Sequence, residues 1–177
     1  MTVEDYLRTP ETVLPQELVY GALRVADAPT PRHQRAVACL FRALDAHVSD
    51  HLLGEVWLSP IDVILDVDRH LVVQPDLLFI SNARSHIVTD RIHGAPDLVI
   101  EVLSPRPRIG RIEERIGWFA EYGVGECWIV DLFARRLEVV TLANGLDAER
   151  RTFSERQLIH SRVLPGFSRD LGGILGY

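Results

Sequence analysis

Residues 96–105 read PDLVIEVLSP, and an earlier run at 72–80 reads VVQPDLLFI. Each sets an acid into a short apolar run rich in branched residues, the composition of a buried strand. Side chains alternate faces along a strand. Asp97, Val99, Glu101 and Leu103 therefore point one way, and Leu98, Ile100 and Val102 the other. Glu101 sits mid-run and cannot reach solvent past a strand end. An unpaired buried carboxylate costs on the order of several kcal/mol, so it needs a compensating partner. An arginine, a neighbouring loop or a divalent cation shared with another acid would each serve. Asp76 is the obvious second acid, because Mg²⁺ is commonly held by one or two carboxylates plus water. Pro75 before it removes a backbone donor and suits a place where a strand opens.

Working outward, the pattern is that of an α/β chain. Thr2 and Asp5 are placed for a capping box on a short helix to Leu7. ELVY and ALRV around Gly21 form a hairpin pattern. A breaker run at 28–32 leads into a helix over His33–Leu52 with Val37, Leu40, Phe41, Leu44 and Val48 on one face. Strands are expected at 56–58, 61–66, 71–80 and 97–103. A helix follows over 108–122, with Ile109, Ile112, Ile116 and Phe119 on one face and Gly123 as its terminator. CWIVDL and RLEVVTL then make a hairpin. No repeat or long linker divides the chain. At 177 residues and 47% hydrophobic content it is expected to form one domain over 1–177, a mixed sheet flanked by helices.

Composition excludes several classes. No run is long enough to cross a membrane, and the acidic start lacks a secretion signal, so a cytoplasmic location is expected. Cys39 and Cys127 suggest neither a disulfide framework nor a zinc site. Net charge is −6, against nonspecific coating of nucleic acid. All 19 basic residues are arginine, so no chemistry here can use a lysine. Phosphate-loop, dinucleotide and nucleophile-elbow motifs are absent. The tryptophans, Trp57, Trp118 and Trp128, are expected in the core.

Five segments together resemble the Uma-two group of "putative restriction endonucleases", within the PD-(D/E)XK nuclease superfamily. They are ELVYGAL, PTPRHQRAV, VVQPDLLFI, GAPDLVIEVLSP and GVGECWIVD, in that order. The resemblance implies a restriction-endonuclease-like fold and hydrolysis of DNA phosphodiesters with Mg²⁺ or Mn²⁺. It makes Asp76 and Glu101 the metal-binding carboxylates, the Val102 carbonyl a third ligand and Glu17 an accessory acid. Asp97 matches a strand start better than the metal pair. His33 falls in a family block, although a lone histidine near a helix start is more often a cap or core residue.

The superfamily's lysine is absent. Leu103 stands two residues after Glu101, and Arg115 occupies the helix position where the Uma-two group carries its lysine. Arg111 and Phe119 also depart from the group's residues. Arginine stays protonated and cannot serve as a base, but its fork can stabilise phosphate charge. Arg108, Arg111 and Arg115 share a helical face, either a phosphate track or a solvated face paired with Glu113, Glu114 and Glu121. The expected function is a metal-dependent DNA endonuclease acting as a homodimer, with no membrane partner. The alternative is a degenerate nuclease fold serving as a binding or assembly module.

Overall fold

The structure, a computed structural model, describes residues 1–10, 14–103 and 111–176. Chain order runs α1 (Val3–Leu7), β1 (Gln16–Val19), β2 (Ala22–Val25), α2 (Pro31–Asp50), β3 (Gly54–Leu58), β4 (Val63–Asp66), β5 (Leu71–Val73) and β6 (Leu77–Ser81). A 3-10 turn leads to β7 (Ile92–His93) and β8 (Leu98–Val102). The rest is α3 (Ile112–Tyr122), β9 (Glu126–Asp131), β10 (Arg136–Ala143), β11 (Leu146–Ser154) and α4 (Leu171–Leu175).

The strands form two mixed sheets rather than the one expected. The smaller has the order β2-β1-β5-β4-β7, and the larger β11-β10-β9-β8-β6-β3. The run at 71–80 is accordingly two strands, one in each sheet, broken at Gln74-Pro75-Asp76. Pro75 offers no amide to a ladder, so the chain can leave one sheet there and enter the other.

The alternation read in β8 holds. Leu98, Ile100 and Val102 join a core with Leu40, Leu44 and Val48 of α2, Trp128 and Leu171. Val99 joins a second core with Ile116 and Phe119 of α3, and with Val19, Leu71 and Val73 of the smaller sheet. The larger sheet thus separates α2 and α4 from α3 and the smaller sheet. A third cluster, Val3, Tyr6, Leu18, Ile64 and Val72, seats α1 on the far side of the smaller sheet.

Local chemistry fixes the element ends. Thr2 Oγ1 accepts from the Asp5 amide and Asp5 Oδ2 from the Thr2 amide, both at 3.1 Å, which completes the capping box. Thr30 caps α2, with Pro31 opening its first turn. Gly123 ends α3 at φ +90°, where a side chain would be strained. At Gly54 a Cβ would stand 2.1 Å from the Ile80 carbonyl, so only glycine lets β3 approach β6. Trp128 is fully buried and Trp118 nearly so, while Trp57 is half-buried.

One buried acid is structural. Glu126 is 0% exposed. It accepts from Trp128 Nε1 at 3.1 Å, Ser161 Oγ at 2.7 Å and the Arg162 amide at 2.5 Å. Ser161 Oγ in turn accepts from the Val163 and Leu164 amides. Glu126→Ala strands three donors and frees this turn, and is expected to lower unfolding free energy by about 2–3 kcal/mol. Urea denaturation of the two proteins measures it.

Candidate active site

The register of β6 against β8 pairs Leu77 with Ile100 and Leu78 with Val99. Asp76 stands just before β6, at the end of the sheet beside Glu101 and Val102 of β8. The carboxylates are tied differently. Asp76 Oδ2 accepts from the Val102 amide at 2.8 Å and lies 3.2 Å from His33 Nε2. His33 Nε2 is also 3.1 Å from the Val102 carbonyl. The His33 ring comes from the first turn of α2, where its amide donates to Thr30 Oγ1 at 3.2 Å. Cap and site therefore share one helix end.

Glu101 is bound to α3. Arg115 donates to Glu101 Oε1 from Nε at 2.9 Å and from NH2 at 2.7 Å. Its NH1 donates to both oxygens of Glu17, at 2.9 and 2.7 Å. Glu17, on β1, also accepts from the Gln74 amide at 2.7 Å. Arg115 is 6% exposed and Glu17 0%. One buried guanidinium thus joins the smaller sheet, α3 and the larger sheet. Gln74, at the break between sheets, reaches further, donating from Nε2 to Asp62.

Electrostatics follows from this burial. Desolvation pushes Glu101 up from the ordinary 4.5 to about 7; Arg115 opposes the shift, while Asp76 and Glu17 add to it. Burial lowers the His33 value, but the hydrogen bond and charge of Asp76 outweigh it, and the net direction is up. The folded chain therefore binds the Glu101 proton more tightly than the unfolded chain. That stability is fully present below about 4.5 and is lost as pH rises through about 7. In metal-free buffer, the stability of wild type relative to Glu101→Gln is expected to fall across this window, as urea midpoints at a series of pH values measure.

The structure ties Asp76 to Val102 and Arg115 to both Glu101 and Glu17, so Arg115 faces inward. It stands three residues after Ile112 and four before Phe119, within the apolar stripe of α3. The proposed arginine track does not form one exposed face. Arg111 is exposed at the N-cap, Arg115 is buried, and Arg108 lies outside the described residues. The acids of α3 pair across elements instead: Glu113 with Arg150, Glu114 with Arg24 and Glu121 with Arg69. Asp97 Oδ2 accepts from the Ser81 amide at 2.7 Å, a strand-start tie. Sequence reasoning undervalued His33 and missed Gln74. The only signal for His33 was its place in a family block, and Gln74 carried none beyond adjoining Pro75.

The donor set fits a hard divalent cation. Among the described residues no hydrogen bond reaches Asp76 Oδ1 or Glu101 Oε2. Oxygen donors with water completing the shell are what Mg²⁺ takes. Both Glu17 oxygens accept hydrogen bonds, from Gln74 and Arg115. Among the described residues of the metal-free protein no three His, Cys, Asp or Glu side chains already stand as a metal-binding group.

The fold is shared with a crystal structure described as a putative nuclease belonging to DUF820 from Anabaena variabilis. The TM-score is 0.83 over 99% of this chain and 98% of that one, at 16% identity. No curated protein matches the chain. Among the described residues no helix is long and apolar enough to cross a membrane. A family model described as "Putative restriction endonuclease" matches residues 3–172, nearly the whole chain, which belongs to that family, Uma2.

Proposed function

We propose that the chain is a metal-dependent endonuclease that hydrolyses DNA phosphodiester bonds. The carrying observation is that Asp76 is tied to the Val102 amide, the residue after Glu101, and that each carboxylate has an oxygen free of donors among the described residues. Asp76, Glu101 and the Val102 carbonyl hold the cation. When bound, it activates water and offsets charge on the phosphate. The Val102 amide orients Asp76. Arg115 holds Glu101 Oε1 and offsets carboxylate charge beside the site, but cannot take a proton. With no lysine available, the proton of the attacking water leaves through solvent or a substrate phosphate oxygen. Arg111, exposed at the N-cap of α3, meets the DNA backbone. Cutting both strands takes two sites, which a homodimer provides.

The test is supercoiled plasmid incubated with Mg²⁺ or Mn²⁺. Nicked and then linear DNA, abolished by chelation, is expected. Intact plasmid at micromolar protein with either ion overturns the reading. It would favour instead a binding or assembly module, in which Arg115 permanently occupies Glu17 and Glu101 as a structural tie.

A further inference from the structure

The His33 ring has no assigned role in that scheme, yet it touches two of its three donors. Nε2 lies 3.2 Å from Asp76 Oδ2 and 3.1 Å from the Val102 carbonyl oxygen. Donors bound to one cation at about 2.1 Å and at right angles stand about 3 Å apart. The measured separations match that spacing and also match hydrogen bonds, so the ring's proton decides between them. His33 Nδ1 is buried without a hydrogen-bond partner among the described residues. Both partners of Nε2 are acceptors, so in the metal-free protein Nε2 carries the hydrogen; Nδ1, with no neighbour described to hold it, can take the proton when Nε2 turns its lone pair to a cation. The ring is 9% exposed and held by the first turn of α2, so it is preplaced rather than recruited.

Resting on the metal-dependent reading above, we propose that His33 Nε2 is a direct ligand of the cation held by Asp76 and the Val102 carbonyl. A nitrogen donor changes the metal the site selects. Mg²⁺ takes oxygen donors almost throughout, whereas imidazole suits transition ions. His33 thus biases the site toward Mn²⁺ or Co²⁺ over Mg²⁺. The hydrogen on Nε2 is a place-holder in the metal-free protein, bridging the same oxygens that the cation takes over.

The experiment uses Mn²⁺ itself on the full chain. Pulsed electron paramagnetic resonance of the Mn²⁺-loaded wild type is expected to show coupling to a ligand nitrogen. The coupling is lost in His33→Gln, whose amide oxygen can still coordinate. Calorimetric titration of the same pair is expected to show Mn²⁺ affinity falling about tenfold or more and Mg²⁺ affinity less than about threefold. Mn²⁺ bound tightly by wild type without nitrogen coupling, or unchanged Mn²⁺ affinity in His33→Gln, overturns His33 as a ligand and leaves the metal reading standing. Absence of Mn²⁺ and Mg²⁺ binding in wild type overturns both. The wild-type spectrum decides even if the variant folds poorly, and Asp76→Ala, expected to lose both ions, shows that the signal comes from this site.

Discussion

Replacing Arg115 with alanine is expected to lower unfolding free energy by about 3–5 kcal/mol, the usual cost of removing one partner from a buried ionic network. Four hydrogen bonds from its guanidinium reach Glu17 and Glu101. Without them Glu17, which is 0% exposed, keeps only the Gln74 amide as a donor. Glu101, already lifted to about 7 with the guanidinium present, loses the one charge that opposes the shift. The loss is expected to be larger at pH 8 than at pH 5, because more carboxylate charge is then left buried. Arg115→Lys is expected to fall between wild type and alanine. A lysine supplies charge but no planar fork, and cannot serve both carboxylates with the same geometry. Urea denaturation followed by circular dichroism at the two pH values measures this. A change below about 1 kcal/mol for Arg115→Ala would show that the network contributes little to folding.

This role explains why the site was only partly legible. Strand alternation placed Glu101 on the face opposite Leu98, Ile100 and Val102, because the apolar residues around it allow a single register. What α3 does with its arginines is not encoded in charge. An arginine three residues from one core residue and four from another falls on the buried stripe of a helical wheel, but its charge reads as exposed, and only the buried glutamates opposite show what it pairs with. Glu17 lies in the β1 hairpin, and its contact with Arg115 spans most of the chain. The elements missed share a cause as well. β11 is largely exposed, with Asp147, Glu149, Arg150 and Arg151 in its span, so it lacks the apolar pattern by which strands are recognised. It is held by pairing with β10. The break at Gln74-Pro75-Asp76 was signalled by Pro75, but the apolar residues on either side read as continuous.

Glu101→Gln separates the site's chemistry from its framework. The substitution keeps the shape of the side chain, and its amide oxygen can still accept from Arg115. Only the charge is lost. Burial disfavours that charge in the metal-free protein, so at pH 8 the variant is expected to be as stable as wild type or more so. A neutral amide is a poor ligand for a hard cation. Calorimetric Mn²⁺ affinity is therefore expected to fall about tenfold or more, and plasmid cleavage about a hundredfold or more, the scale of losing one electrostatic stabiliser of a transition state. Glu17→Gln makes the opposite pattern. Both Glu17 oxygens are committed to Gln74 and Arg115, so it is expected to lose stability while Mn²⁺ affinity per folded molecule changes little. Cleavage by Glu101→Gln within about threefold of wild type would remove Glu101 from the metal site. It would leave Arg115 and its two glutamates as a purely structural bridge between the sheets.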